Sequence, residues 1–467
     1  MMNDKCIKLG LAVVASPLEV GADQGPNLLQ RLQITLNESD KLNLCPYQTP
    51  IANAWDVIKA GRQFYDERVH AVVIVAASWF EDYLVLDMLE ECDAPTIIWG
   101  IPGMETGSLC GTQQLGFMLK QLSKPYKLLY DDLTSQSALK RLLEYASAAA
   151  LRYYLRRARI GYLGYRVEGM TETTAHEIAL KKIFGPRIVG IDSQVFLNKV
   201  SKVEEEVVRI QWEKLKREVG NTICSDEAGV ESLKVYTVLK SFIKERMLNA
   251  LAVGCYPRLM GKVCLAASLL GEEGIPLACE GDINGALGML MLTRLSGEPT
   301  HNTDLLNPIL ADNAIVFSHC GSSGFSLAND LSEVTLAPVR LMDKGLCCLF
   351  TAKPGPVTLV NIVPTMNSYQ IGVMFGNAVK TDMVFPGNPL KVRFDSDEIP
   401  PFSPLSQRGA GGISFNKGGV KEVLNWIEDE GLGHHWMAAY GDLRNQLTDF
   451  VSMVGCQLTT CPDFRSL

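Results

Sequence analysis

The first 150 residues contain short apolar runs that alternate with amphipathic stretches of helical period. Three of these runs are IKLGLAVVA (7–15), VHAVVIVA (69–76) and PTIIWG (95–100), and each contains several β-branched residues. Strands with so few polar residues are typical of parallel sheets, because helices cover both faces of the sheet. The pattern therefore predicts a doubly wound α/β domain at the start of the chain, with the first run as a buried strand rather than a signal peptide.

The same alternation returns after the basic stretch RYYLRRARI. RIGYLGY (159–165) is strand-like, and so are LNALAVGCY (248–256) and GIPLACE (274–280), each of which follows a helical segment. Beyond about residue 340 the pattern changes to short strands separated by Gly, Pro and Asn turns, without helices between them. Such a run of strands is typical of an antiparallel sheet or barrel. The glycine-rich stretch RGAGGISFNKGG (408–419) is predicted to be a loop.

We therefore predict an α/β fold with two doubly wound parallel-sheet domains followed by a mostly antiparallel, barrel-like β domain. The predicted domains are 1–155, 156–335 and 336–467. A length of 467 residues with 47% apolar and 21% charged residues fits a globular chain of two or three domains.

Composition also narrows the class of function. The formal net charge is −8, and no long basic block is present, so nucleic acid is not expected as a partner. The 13 cysteines are irregularly spaced without a Cys-x-x-Cys pair, which favours reduced thiols and a cytoplasmic protein. No segment approaches the roughly 18 apolar residues of a membrane span, so no membrane partner is predicted.

Two carboxylates in the second half of the chain are candidate metal ligands. Glu280 ends the apolar run GIPLACE and precedes a helical segment, which places it at the edge where doubly wound domains bind ligands. It could instead cap that helix, although Asp282 is the better capping candidate. Asp304 follows 24 positions later, before Leu-Leu-Asn-Pro, where the local sequence by itself favours a turn or helix-capping role over a ligand role.

Histidines provide the other candidate ligands. His319 follows the strand-like AIVFS and precedes a glycine-rich turn, and it is either a ligand or a structural histidine. Its neighbour Cys320 does not predict zinc, because no second cysteine stands at ligand spacing. His434 and His435 lie in a glycine-led turn and cannot point the same way, so one can ligate while the other contacts substrate or packs. Two carboxylates with one or two imidazoles suit Mn²⁺ or Mg²⁺.

Other catalytic patterns are missing from the sequence. There is no Gly-x-x-x-x-Gly-Lys-Ser/Thr loop, no Gly-x-Ser-x-Gly elbow and no His-Glu-x-x-His. Trp79 and Trp99 follow two strands of the first domain and fall at its ligand-binding edge, where packing and ligand contact both remain open.

With these residues in view, the chain resembles the L-fucose isomerase and L-arabinose isomerase superfamily. VVIVAASWFEDY, PTIIWGIPGMETGS and LGYRVEGM look like segments of its first two domains. In PLACEGDINGALGMLMLTRLSG, Glu280 matches the metal-binding glutamate, and the step to Asp304 matches the second metal carboxylate. HHWMAAYGDLRNQL resembles the His-His motif of the arabinose isomerase branch, whose second histidine is a ligand, so His435 is preferred. His319 matches another histidine ligand of that branch.

The resemblance implies a metal-dependent aldose–ketose isomerase that acts on a pentose or hexose through an enediol, with Mn²⁺ or Mg²⁺ as cofactor. It implies Glu280 and Asp304 as catalytic groups and metal ligands, and His319 and His435 as further ligands. The expected substrate-binding residues are Trp79, Trp99, Met170 and His434. It also implies a homo-oligomer such as a hexamer.

Two rival functions stay open. One is an epimerase or lyase that uses the same intermediate, and the other is a non-catalytic sugar-binding protein of the same fold. The segment ASPLEVGADQGP lacks the arginine that fucose isomerases carry in a substrate loop, so the sugar itself is not predicted.

Overall fold

The computed structural model describes residues 6–394 and 419–461 and divides the chain into two compact units. The first unit consists of the chain up to Tyr154 together with Asn445–Gly455, and the second begins at Leu155. The loop predicted over 408–419 lies outside the described residues except for Gly419. The division into three domains stays a prediction.

The first unit contains a parallel sheet of the order β2-β1-β3-β4-β5. This is a doubly wound order, as predicted. Every residue of β3 is buried, because helices pack on the sheet. The strands are β1 (Ile7–Val14), β2 (Leu42–Pro46), β3 (Ala71–Ala76), β4 (Thr96–Gly100) and β5 (Tyr126–Tyr130), and the helices are α1 (Gly25–Asn37), α2 (Ala54–Asp66), α3 (Tyr83–Glu91), α4 (Ser108–Gln121) and α5 (Gln136–Leu155).

The second unit begins with another parallel sheet. Its strands are β6 (Arg159–Leu163), β7 (Arg187–Ile191), β9 (Ala250–Val253) and β10 (Leu277–Ala278), in the order β10-β9-β6-β7. Apart from the missing fifth strand, this order repeats that of the first sheet. The accompanying helices are α6 (Glu177–Ile183), α7 (Ser193–Val200), α8 (Glu205–Glu218), α9 (Asp226–Arg246), α10 (Cys264–Glu272) and α11 (Ile283–Ser296).

A largely antiparallel sheet follows in the same unit. Its strands are β11 (His301–Ile309), β12 (Ala314–Ser318), β15 (Gly355–Pro364), β16 (Tyr369–Val379), β17 (Leu390–Arg393), β18 (His435–Tyr440) and β19 (Gln457–Thr460). They are ordered β15-β18-β11-β12-β17-β16-β19, and a further pairing of β15 with β16 closes the sheet into a barrel. This confirms the mixed fold class, including its antiparallel C-terminal part.

Smaller elements complete the structure. The strands β8 (Asn221–Thr222), β13 (Thr335–Val339) and β14 (Lys344–Leu349) form a separate sheet. The helix α12 (Val420–Glu430) packs its Trp426 against Trp436 in the barrel core. The last helix is α13 (Arg444–Val454). Within the two described ranges, no helix combines the length and the apolar character needed to cross a membrane.

Candidate active site

Glu280 stands in a tight turn between β10 and α11. Its backbone is left-handed, with a φ of 62°, and Gly281 continues the turn with a φ of 72°. A Cβ atom at Gly281 would lie 2.8 Å from the carbonyl oxygen of Tyr165, so only glycine fits. A glutamate rarely adopts this conformation, and such backbone outliers cluster at functional sites. The turn places Glu280 at the carboxyl edge of the parallel sheet, as the sequence predicts.

Three adjacent barrel strands bring the other candidate ligands together. In the antiparallel register, Asp304 of β11 lies directly opposite His435, the first residue of β18. On its other side Asp304 pairs with Ser318, the last residue of β12, and His319 follows immediately. Directly opposed residues point to the same face of a sheet. Strand pairing therefore joins residues that are 131 positions apart in sequence (435 − 304).

The four predicted metal ligands form one group. The Nε2 atom of His435 lies 3.1 Å from Glu280 Oε2 and 3.5 Å from Asp304 Oδ1. The same Asp304 oxygen lies 3.9 Å from His319 Nε2. Ligand atoms of Glu280, His319 and His435 all lie within 4.8 Å of one another. Small movements of these side chains would suffice to surround a single cation.

Asp282 serves both the helix and the site. Its Oδ1 accepts a hydrogen bond of 2.8 Å from the backbone N–H of Gly285, which confirms the predicted cap of α11. Its Oδ2 lies 2.8 Å from Nδ1 of His435, so this carboxylate orients the imidazole and leaves Nε2 facing Glu280 and Asp304. Metal-bound histidines commonly donate their second N–H to a carboxylate in this way. The sequence signal was the cap alone, and the contact with His435 was missed.

The electrostatics of the group are dominated by carboxylates. Burial lowers the pKa of His435, but hydrogen bonds with Asp282 and Glu280 outweigh burial and leave that pKa well above its usual value. Burial raises the pKa of Glu280, but the hydrogen bond from His435 and the charge of His319 outweigh it, so that pKa lies below its usual value. The site therefore favours ionised carboxylates and attracts positive charge.

Asp304 carries the clearest sign that a cation fits here. Its Oδ1 is buried and accepts no hydrogen bond. A buried acceptor without a donor costs about 1–3 kcal/mol, and a bound cation would remove that cost. Carboxylate oxygens together with an imidazole nitrogen also match the ligand preferences of Mn²⁺ and Mg²⁺. The residues present thus fit the predicted cofactor.

The two adjacent histidines take different environments. His435 is 5% exposed and points to the carboxylates, whereas Nδ1 of His434 lies 2.7 Å from Glu172 Oε1 and its side chain is 44% exposed. One ring nitrogen of His434 also comes within 4.8 Å of Asp304 and His435 ligand atoms. The amide of Asn361 donates to the carbonyl oxygens of Gly433 and His435, which holds this turn in place.

Three further residues were predicted to bind substrate, namely Trp79, Trp99 and Met170. Trp99, in the first unit, is fully buried, and its indole N–H donates to the Asp131 carbonyl oxygen at 2.9 Å, which is a core environment. Trp79, in the same unit, is half-buried and donates to Gln114 Oε1 at 3.1 Å. Met170, in the second unit, is half-buried and precedes the turn that carries Glu172. The substrate-binding roles assigned to these residues stay predictions.

The chain is similar in sequence to several known proteins. No protein-family model matches the chain. The sulfoquinovose isomerase of Priestia aryabhattai is 23% identical over 401 residues, which cover 84% of this chain and 85% of that protein. A protein of the same name from Alkalicoccus urumqiensis is 24% identical over 393 residues, covering 81% and 83%. The chain is thus similar, over most of its length, to proteins named sulfoquinovose isomerase.

Proposed function

We propose that the protein is a metal-dependent aldose–ketose isomerase of sugars and that sulfoquinovose, or a closely related hexose, is its substrate. The observation that carries this proposal is the convergence of Glu280, Asp304 and His435 within 3.1–3.5 Å contacts. The similarity to proteins named sulfoquinovose isomerase supports both the reaction class and the first sugar to test.

The residues that would hold the cation are Glu280, Asp304 and His435, with His319 beside them. A divalent cation held by these residues would supply positive charge that polarises a sugar carbonyl and acidifies the neighbouring hydroxyl. Asp282 keeps His435 oriented through the 2.8 Å contact at Nδ1. The chain therefore contributes the ligands and the group that fixes one of them.

Isomerisation moves a proton between C1 and C2 while the carbonyl and hydroxyl groups exchange positions. A carboxylate removes the proton from C2 to give an enediolate, and O1 takes up a proton to complete the enediol. The O2 hydroxyl then gives up its proton as a proton is returned to C1, so that the carbonyl group forms at C2. Glu280 and Asp304 are the groups proposed for these transfers, because both carboxylates face the same small volume.

The experiment is a substrate screen with product analysis. The protein is treated with a chelator, dialysed, and assayed with Mn²⁺ or Mg²⁺ on sulfoquinovose, glucose, L-fucose and L-arabinose. We expect a ketose as the sole product, activity that depends on added metal, and incorporation of solvent deuterium at C1 or C2. Release of fragments would establish a lyase, and a C2 epimer an epimerase. Sugar binding without turnover would establish a binding protein.

Assembly is a separate part of the proposal. We expect a homo-oligomer such as a hexamer, because the resemblance to the fucose and arabinose isomerases implies a pocket that the first domain of a neighbouring subunit completes. Static light scattering on the active protein measures this directly, and a fully active monomer at micromolar concentration would contradict it.

A further inference from the structure

A set of sulfur ligands meets on the far side of the His319 ring. Cys279 directly precedes Glu280, and Cys320 directly follows His319. Ligand atoms of Cys279, His319 and Cys320 all lie within 4.8 Å of one another. Nδ1 of His319 lies 3.2 Å from Cys320 Sγ, whereas its Nε2 lies 3.9 Å from Asp304 Oδ1. One imidazole therefore faces thiols through one nitrogen and carboxylates through the other.

Two further thiols extend this set. The neighbouring thiol of Cys279 raises the pKa of Cys255, and the neighbouring thiol of Cys264 raises the pKa of Cys320. None of these four cysteines takes part in a disulfide. Cys279 has no exposed surface, whereas Cys320 is partly exposed. Three of the four thiols are therefore buried, and that of Cys320 is partly accessible to solvent.

Buried thiols often do nothing more than fill a hydrophobic core. The presence of an imidazole nitrogen among these sulfur atoms distinguishes this group from ordinary packing. In a tetrahedral zinc site, Zn–S bonds of about 2.3 Å and Zn–N bonds of about 2.1 Å place the ligand atoms roughly 3.5–3.8 Å apart. The observed separations, all within 4.8 Å, exceed these values by no more than about 1.3 Å, so small side-chain movements would reach that geometry.

We propose that Cys279, Cys320 and Nδ1 of His319 form a site for a thiophilic divalent cation such as Zn²⁺, distinct from the carboxylate site and sharing His319 with it. On binding, each thiol releases its proton and coordinates as thiolate, and Cys255 or Cys264 stands ready as a fourth ligand. The cation draws His319 towards the sulfur atoms and adds positive charge beside the carboxylates. Occupation of the thiol site therefore weakens cation binding at Glu280 and Asp304, which makes the site inhibitory.

Cobalt provides a direct test that needs no knowledge of the substrate. Chelator-treated, reduced protein is titrated with Co²⁺, which gives an intense sulfur-to-metal absorption band only when thiolates coordinate it. We expect the band in the parent protein and in Cys110→Ser, whose thiol is exposed and lies in the first unit. The double variant Cys279→Ser with Cys320→Ser should lose the band, with affinity reduced at least about 100-fold. Absence of the band in the parent, or its persistence in the double variant, overturns the site.

Two further measurements control for misfolded variants and test the inhibitory role. Circular dichroism compares the folding of every variant, and the single variant Cys320→Ser replaces the double variant if the latter does not fold, since Cys320 is only partly buried. In the activity assay with Mn²⁺, Zn²⁺ should inhibit the parent and Cys110→Ser, and inhibition should be relieved in the cysteine variants. Equal inhibition of all proteins overturns the inhibitory role. A protein without isomerase activity would refute the proposed function, whereas the cobalt band alone decides the thiol site.

Discussion

The two parallel sheets share a strand order but differ at their carboxyl edges. In the first unit, Trp79 at this edge is bound to Gln114, and Trp99 is buried in the core. In the second unit, the edge ends in Glu280, which meets His435 from the barrel. Among the described residues, every group of three possible metal ligands falls in the second unit.

This difference shows what a doubly wound sheet contributes to a site and what it does not. The sheet fixes where a loop residue such as Glu280 stands, and both units have such an edge. The partners of Glu280 come from barrel strands, where Asp304 and His435 are opposed in register. The candidate site in the second unit therefore differs from the corresponding edge of the first sheet because barrel strands bring further ligands to it. The parallel sheet by itself is the same in both units.

The largest effect is expected when the two carboxylates of the candidate site in the second unit are neutralised. Glu280→Gln keeps the size of the side chain but removes the charge and the base, so turnover should fall by about 10²–10⁴. Asp304→Asn should behave similarly. Steady-state kinetics on the ketose-forming reaction measure the loss, and calorimetric titration with Mn²⁺ measures cation binding. His70→Ala and His176→Ala, which lie outside the group, are the controls. Normal turnover in Glu280→Gln would contradict the assignment.

A smaller loss is expected when the orientation of His435 is disturbed. Asp282→Asn keeps a capping side chain for α11 but replaces the carboxylate at Nδ1, and loss of such a partner costs about 10–100-fold in metal affinity or activity. Asp192→Asn is the matched control, because Asp192 caps α7 by accepting from Val195 and contacts no histidine of the site. If both variants change metal affinity and activity equally, Asp282 acts only as the cap of α11.

The smallest change in activity is expected at the edge of the first sheet. Trp79→Phe removes the hydrogen bond to Gln114, and if Trp79 contacts sugar as predicted, KM rises about two- to fivefold while kcat stays unchanged. Trp55→Phe, at a tryptophan that is 76% exposed, serves as the control. An unchanged KM in both variants would show that Trp79 does not bind substrate.

Much of the fold follows from local sequence, because buried parallel strands are short, apolar and flanked by helices. The runs that became β1, β3 and β4 were predicted in place, and Glu280 was predicted at the edge of its sheet for the same reason. The barrel-like nature of the C-terminal part also followed from closely spaced strands. Each of these features depends on residues that are neighbours in the chain.

The remaining features depend on strand register, which sequence spacing does not reveal. Asp304 was open to a turn role, but it lies within β11, opposite His435. Cys320 was not predicted to bind zinc, because no second cysteine stood nearby in sequence. In the structure its sulfur lies within 4.8 Å of that of Cys279, which is 41 positions away (320 − 279). Asp282 gave a capping signal that uses one oxygen, and nothing in the local pattern shows where the second oxygen points.

The left-handed backbone of Glu280 lowers the stability of the fold. Such a conformation costs a residue other than glycine or asparagine about 1–2 kcal/mol. Glu280→Asn should therefore unfold at a temperature at least as high as the parent while losing activity, which differential scanning calorimetry would show. Folding alone does not require a glutamate at this position. The fold tolerates this residue at a cost in stability, as expected where stability is traded for activity.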